Sequence, residues 1–319
     1  MNIVFLDGYT VNPGDLEWTP FERLGTFRSY DRTPAHLVVE RAREADVLIV
    51  NKTLLGEAEF AQLPRLRLVL LAAAGYDTID VEAARRRGIP VCNAAGYGNA
   101  SVAQSVVAHI LNITNRVGEY AQRNREGFWS NSPDFCSCES GLVELTGKRV
   151  AIVGFGNIGQ AVARLLRPFG VQLFAVTSKE PSALPPDVRK LTLEEALLTC
   201  DIVSLNCALT PENEGFINAE RLAEGRVKPG LIIINTARGR LVREADVAEA
   251  LRDGRLGAYG TDVLSQEPPP IDNPLLSAPR CYVTPHNAWA TREARMRILD
   301  ILEANLRAYL EGKPQNLVT

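Results

Sequence analysis

Four groups of residues in this chain have types and spacings that could do chemistry. The first is Gly154-x-Gly156-x-x-Gly159, which follows the apolar run Val150-Ala151-Ile152-Val153. It leads into a helical pattern of Ile158, Val162, Leu165, Leu166 and Phe169, closed by Gly170. Strand, glycine turn and helix in that order suit a dinucleotide pyrophosphate. Gly154 would make the tight turn, Gly156 would allow close approach to the backbone, and Gly159 would let the helix pack on the strand; Phe155, Asn157 and Ile158 complete the loop and first turn, where the helix N-terminus meets phosphate charge. A glycine-rich turn without a ligand is the plainer alternative, and the complete strand–turn–helix context favours the dinucleotide.

The other three are single ionisable groups. Arg238 in Asn235-Thr236-Ala237-Arg238-Gly239 could present its planar fork to a carboxylate in two parallel charge-assisted bonds, which a lysine could not do. His286 in Thr284-Pro285-His286 could exchange a proton near neutral pH, and a carboxylate such as Glu267, before Pro268, would favour its protonated ring. Each alone is more often structural than catalytic. All three, however, follow apolar runs that read as strands, and in open α/β sheets ligands bind outside the carboxyl ends of strands. His36, in a polar stretch, and His109, within a helical pattern, read as exposed or packed residues.

The elements that must position these groups follow from periodicity. Apolar runs at 149–153, 172–176, 202–205, 231–235, 258–262 and 281–284 predict six strands interleaved with helices, a doubly wound parallel sheet. A smaller α/β segment precedes it, with strands at 2–6, 46–50, 67–72 and 89–92 and a helix from Val81 to Arg87. Helical patterns run from Ser101 to Arg116 and on to Arg125, and the stretch from Phe128 to Leu145 is aperiodic, a linker or an arm. A last helix, from about Thr291 to Leu310, lies beyond the sixth strand and is inferred to return to the first domain. The predicted division is 1–100 plus 288–319 for one domain and 101–287 for the other, with an arm at about 101–147.

After the second strand of the larger sheet come Thr177, Ser178 and Lys179. A unit specific for NAD usually carries an acidic residue there to hold the ribose hydroxyls; a hydroxyl pair followed by lysine leaves room for a 2′-phosphate and favours NADP or loose selectivity.

Bulk properties exclude several classes. With 319 residues, 46% hydrophobic and 23% charged, the chain reads as an ordinary globular protein of two domains. The net charge of −3, with basic residues spread along the chain, argues against a nucleic-acid partner. Arg85-Arg86-Arg87 reads as the solvated end of a helix before Gly88. No apolar run approaches the ~20 residues of a membrane span, and the N-terminus lacks the features of a signal peptide, so a cytoplasmic protein is expected. Of six cysteines only Cys136-x-Cys138 are close, without a second pair or a nearby histidine, so no metal site is expected; Cys200 and Cys207 read as small hydrophobes, and all six as reduced thiols.

Over essentially its whole length the chain resembles the D-2-hydroxyacid dehydrogenases. The matching stretches are Ala74 to Asp80, Val153 to Gly159, Leu209-Thr210-Pro211-Glu212, Asn235 to Gly239, Asp262-Val263-Leu264 and Thr284-Pro285-His286. Within that family Asn93 to Gln104, Leu264 to Pro270, Trp289 to Arg295 and Gly312 to Asn316 resemble the glycerate dehydrogenase (hydroxypyruvate reductase) branch. The resemblance implies two Rossmann-like or flavodoxin-like domains with a deep cleft between them, a homodimer built largely on the region from about Ser101 to Leu145, and reversible reduction of a small 2-keto acid with NAD or NADP. It implies that Arg238 holds the substrate carboxylate, that His286 exchanges the proton with Glu267 orienting it, and that Asp262 holds the nicotinamide carboxamide. Asn206, Cys207, Thr236 and Ala237 would line the coenzyme beside His286, and Ala73, Ala74 and Gly75 would meet the substrate. Three positions depart from the usual pattern: Thr177 where aspartate is common, Asn206 where histidine is common, and Asn287 where an aliphatic residue is usual. Alternatives on the same scaffold are a dinucleotide-sensing corepressor, disfavoured by the retained Arg238, Glu267 and His286, and a phosphoglycerate or D-lactate dehydrogenase. Many phosphoglycerate enzymes carry a further regulatory domain, for which a chain ending at Thr319 leaves no room.

Overall fold

The computed structural model describes residues 1–137 and 141–319, so Cys138 of the Cys136-x-Cys138 pair lies outside the described residues. Cys92, Cys200, Cys207 and Cys281 are free thiols. The chain divides into two compact units, residues 1–98 with 289–319, and residues 99–288.

The first unit is a five-stranded parallel sheet with strands β1 (Asn2–Phe5), β2 (Thr26–Ser29), β3 (Val47–Val50), β4 (Leu68–Leu71) and β5 (Val91–Asn93) in the order β2-β1-β3-β4-β5. This is the flavodoxin-like order. Every residue of β3 and β4 is buried, as expected for central parallel strands covered on both faces. The short helices α1 (Thr19–Glu22), α2 (Val38–Ala42), α3 (Glu57–Phe60) and α4 (Val81–Arg86) connect them. Arg86, the last residue of α4, and Arg87 after it pair with Glu57. The helix Arg292–Leu310, capped by the Thr291 hydroxyl, lays Ile298, Leu299, Leu302 and Leu306 against Ile3, Phe5, Ile49 and Leu70 of this sheet. Each buried Leu or Ile there contributes about 1.5–3 kcal/mol.

The second unit opens with helices α5 (Asn99–Asn115) and α6 (Val117–Arg125) and contains strands β6 (Arg149–Val153), β7 (Gln172–Val176), β8 (Val188–Lys190), β9 (Ile202–Leu205), β10 (Ile232–Asn235), β11 (Ala258–Thr261) and β12 (Cys281–Val283). Helices α7 (Asn157–Leu166), α8 (Leu193–Thr199) and α9 (Glu244–Arg252) interleave with the strands, and all pairings are parallel, in the order β12-β11-β10-β9-β6-β7-β8. One face packs on Leu197, Leu222, Val247 and Leu251, and the other on Val106, Ile110, Val162 and Leu166.

Two strands went unread in the sequence, making the sheets five- and seven-stranded rather than four- and six-stranded. Both are edges. β2 alternates exposed with half-buried positions, and β8 buries only Val188 of three residues, so neither carries the apolar run that marks an inner strand.

Candidate active site

The glycine turn ends β6. Gly154 has φ +87°, the left-handed region, and a Cβ there would lie 2.6 Å from the Cys207 amide nitrogen, so this turn touches the one that follows β9. A Cβ on Gly159 would lie 2.2 Å from the Gly154 carbonyl, which shows how closely α7 sits on the turn. Gly156 differs from both: its φ of −82° suits any residue, and no protein atom lies within 4 Å of where a Cβ would be. Nothing in the protein therefore demands glycine at 156, whereas a ligand lying against the backbone would. No side chain caps α7, so its first amides are open to an anion. At the adjacent strand ends Asn206 Oδ1 and Thr236 Oγ1 are shielded from solvent without a hydrogen-bond partner among the described residues. An open cradle at Gly156, an uncapped helix N-terminus and two orphaned polar atoms at neighbouring strand ends fit a dinucleotide.

Beyond β7, Thr177 is half-buried and Ser178 and Lys179 are exposed. The register of β7 with β8 sets Lys190 opposite Ala175, and its ammonium donates to the Lys179 carbonyl at 2.8 Å. A second cation is thus tied to the backbone at Lys179, a residue that sequence reading missed because it lies on the unread strand.

Arg238 follows β10 in extended conformation, and a guanidinium N–H donates to the Ala237 carbonyl at 2.8 Å. The turn beneath it is wrapped by buried Asn235, whose amide donates to the Arg238 carbonyl at 3.0 Å and accepts from the Ala237 N–H at 3.1 Å. A Cβ on Gly239 would fall 1.9 Å from the Leu264 carbonyl carbon. Glycine is required there because the turn after β10 lies against the loop after β11, which carries Glu267.

Glu267 and His286 are paired. His286 Nδ1 lies 2.5 Å from Glu267 Oε2, while Glu267 Oε1 accepts from the Leu264 N–H at 2.9 Å. A carboxylate can only accept, so Nδ1 carries the proton of this charge-assisted bond, and Nε2 is the atom left to exchange a proton with a ligand. His286 has φ +51°, a left-handed conformation that costs a non-glycine residue about 1–2 kcal/mol. The conformation is held by Asp262, only 1% exposed, whose carboxylate accepts from the Thr284 hydroxyl at 2.6 Å, the Asn287 N–H at 3.0 Å and the Ala288 N–H at 2.8 Å. Both ends of the turn are thereby pinned to one side chain, a role for Asp262 that the sequence did not suggest.

Arg238, Glu267 and His286 thus follow β10, β11 and β12, three neighbouring strands of the sheet that bears the glycine turn. In the first unit, Ala73, Ala74 and Gly75 follow β4. The Ala94 N–H donates to the Ala73 carbonyl at 3.0 Å, and the Asn93 amide donates to that of Ala74 at 2.7 Å. The amides of Ala74 and Gly75 form no hydrogen bond among the described residues. Among the described residues no cluster of His, Cys, Asp or Glu could hold a metal ion, and no helix is long and apolar enough to cross a membrane.

A carboxylate-paired imidazole and a guanidinium at the strand ends of the sheet that carries a pyrophosphate-type turn are the equipment of a dinucleotide-dependent oxidoreductase. Comparison gives the family: the D-isomer specific 2-hydroxyacid dehydrogenase, NAD binding domain model matches residues 107–288, and the chain belongs to that family. It is an oxidoreductase acting on the CH–OH group of a small 2-hydroxy acid. Its relatives include a hydroxypyruvate reductase of Blautia hydrogenotrophica, 42% identical over all of this chain and 99% of that protein. A glycerate dehydrogenase of Methylorubrum extorquens is 35% identical over 99% and 98% of the two chains. A solved structure from Thermus thermophilus superposes with a TM-score of 0.87 at 33% identity, covering both chains fully.

Proposed function

We propose that the protein interconverts hydroxypyruvate and D-glycerate, with glyoxylate as a second keto substrate, and that NADPH serves at least as well as NADH. The observation that carries the mechanism is the Glu267–His286 pair, which leaves Nε2 as the exchangeable site. When bound, the reduced nicotinamide supplies the hydride, and the chain's own residues supply orientation, charge and the proton. Arg238 binds the substrate carboxylate through its fork and orients the adjacent carbonyl. His286 Nε2 gives its proton to the keto oxygen as that oxygen becomes the hydroxyl, and Glu267 holds the imidazolium until then; oxidation reverses the transfer. The Ala74 and Gly75 amides offer further donors for a carboxylate. Gly154 to Gly159 hold the pyrophosphate, while Asn206, Cys207, Thr236 and Ala237 line the coenzyme. Asp262 would hold the carboxamide.

Names of relatives support the branch, and two cations support the coenzyme: Lys179 follows β7, and the Lys190 ammonium is tied to its carbonyl, which favours a 2′-phosphate over a bare ribose. The test is a rate panel of hydroxypyruvate, glyoxylate, pyruvate and 3-phosphohydroxypyruvate with each coenzyme. Hydroxypyruvate is expected fastest, and Thr177→Asp is expected to lower NADPH-dependent kcat/KM at least tenfold while sparing NADH. Failure with every keto acid, or an unchanged coenzyme ratio, sinks the respective half of the proposal.

The second unit leaves Val117, Trp129, Phe135 and Leu142 exposed. These four fall on or next to the stretch read as an arm, and they support a homodimer. Light scattering is expected to give twice the chain mass of 34.9 kDa, and a mass of one chain at micromolar concentration would refute it.

A further inference from the structure

We propose that His109 is a positioning residue for His286, bracing through the Thr284 hydroxyl the turn on which His286 is carried. The inference rests on the reading of His286 as the proton donor. His109 lies on α5 and is 6% exposed, with its ring seated on β11 where Gly260 leaves room: a Cβ on Gly260 would lie 3.0 Å from His109 Nδ1. Its Nε2 lies 3.2 Å from Thr284 Oγ1.

Proton accounting fixes the direction of each bond. Thr284 has one hydroxyl proton and two acceptors in reach, the Asp262 carboxylate at 2.6 Å and the Thr261 carbonyl at 3.4 Å. The nearer, charged acceptor takes it. Thr284 Oγ1 then faces His109 as an acceptor, so His109 donates from Nε2 and is the neutral Nε2–H tautomer. Burial, the larger influence, holds the ring below its usual range against the opposing pull of Asp262. The Nε2 proton is present in the neutral tautomer and in the imidazolium alike, so the brace does not depend on the ring's charge.

Packing alone accounts poorly for an imidazole here. Val106, Ile110 and Ile113 on the same helix are buried, and an apolar side chain would fill the seat without the desolvation cost of a polar ring. The ring instead completes a chain from α5 to Thr284, then Asp262, then the Asn287 and Ala288 amides. His286 sits between those two anchors in a conformation it would leave if released.

The chain has three histidines, so imidazole NMR of the coenzyme-free protein reads each ring separately. In His109→Leu the His286 resonances are expected to broaden or split, kcat with hydroxypyruvate to fall about tenfold, since a misplaced reacting group is costly, and the coenzyme Kd to stay within twofold. His109→Gln, which keeps an N–H donor at similar reach, is expected to restore a single His286 signal and to lie within threefold of the parent kcat. A sharp His286 signal with unchanged kcat in His109→Leu overturns the brace, as does a Gln variant as impaired as Leu. Should His109→Leu not fold, Thr284→Val breaks the same link, and an unperturbed His286 signal there is equally fatal. Full turnover in His286→Ala would instead remove the proton-donor reading while leaving the NMR result standing.

Discussion

His286→Ala is expected to lower kcat for hydroxypyruvate reduction by about 10³-fold while leaving the coenzyme Kd within a few-fold of the parent. General acid catalysis contributes typically 10²–10⁴-fold, and at roughly 1.4 kcal/mol per tenfold the loss amounts to about 4 kcal/mol of barrier. The size of the effect follows from the geometry. Nδ1 is committed to Glu267 at 2.5 Å, so Nε2 is the ring nitrogen left to exchange a proton, and the other histidine of the same unit, His109, is buried against Thr284. Pre-steady-state mixing with reduced coenzyme reads the chemical step directly. A His286→Ala enzyme turning over within tenfold of the parent would show that water or another group delivers the proton. Glu267→Gln is expected to fall between the two, because the amide still contacts Nδ1 but no longer stabilises an imidazolium.

The parts of this site legible in the sequence are those whose constraint is local. Gly159 is glycine because of the Gly154 carbonyl five residues away and Gly154 turns through a left-handed φ, while Gly156 stands out because no protein atom demands glycine there. Arg238, Glu267 and His286 could be found because each sits just past an apolar strand, and strand ends can be read from periodicity. What could not be read was set by distant partners. His109 and Thr284 are separated by 175 residues and meet only because α5 packs across β11. That Asp262 also makes three bonds to the turn that carries His286 is set by the pairing of β11 with β12. Lys190 was invisible because β8 has a single buried residue, and Gly239 reveals its purpose only when the Leu264 backbone is placed against it.

Arg238→Ala is expected to reduce kcat/KM for hydroxypyruvate by 10²- to 10⁴-fold, through a higher KM as well as a lower kcat. Each hydrogen bond to a charged group is worth about 1.5–3 kcal/mol, and a guanidinium fork on a carboxylate makes two. The loss reaches kcat because the same fork orients the carbonyl that accepts hydride and proton, so its removal costs positioning in addition to affinity. Arg238→Lys separates charge from geometry. It keeps the positive charge but offers a point donor on a flexible stem, and is expected to recover no more than about tenfold of the loss. Neither variant should unfold the protein, because the turn is wrapped by Asn235 through the backbone of residues 237 and 238 and not through the guanidinium. Thermal midpoints close to the parent value would establish this, and oxalate or oxamate inhibition gives a second readout of carboxylate binding independent of turnover. If Arg238→Lys matched the parent in KM and kcat, a single charge would suffice and the fork would not be what recognises the substrate. If Arg238→Ala itself left the KM and the inhibitor affinity unchanged, the carboxylate would be bound elsewhere, and the Ala74 and Gly75 amides would be the donors to test next.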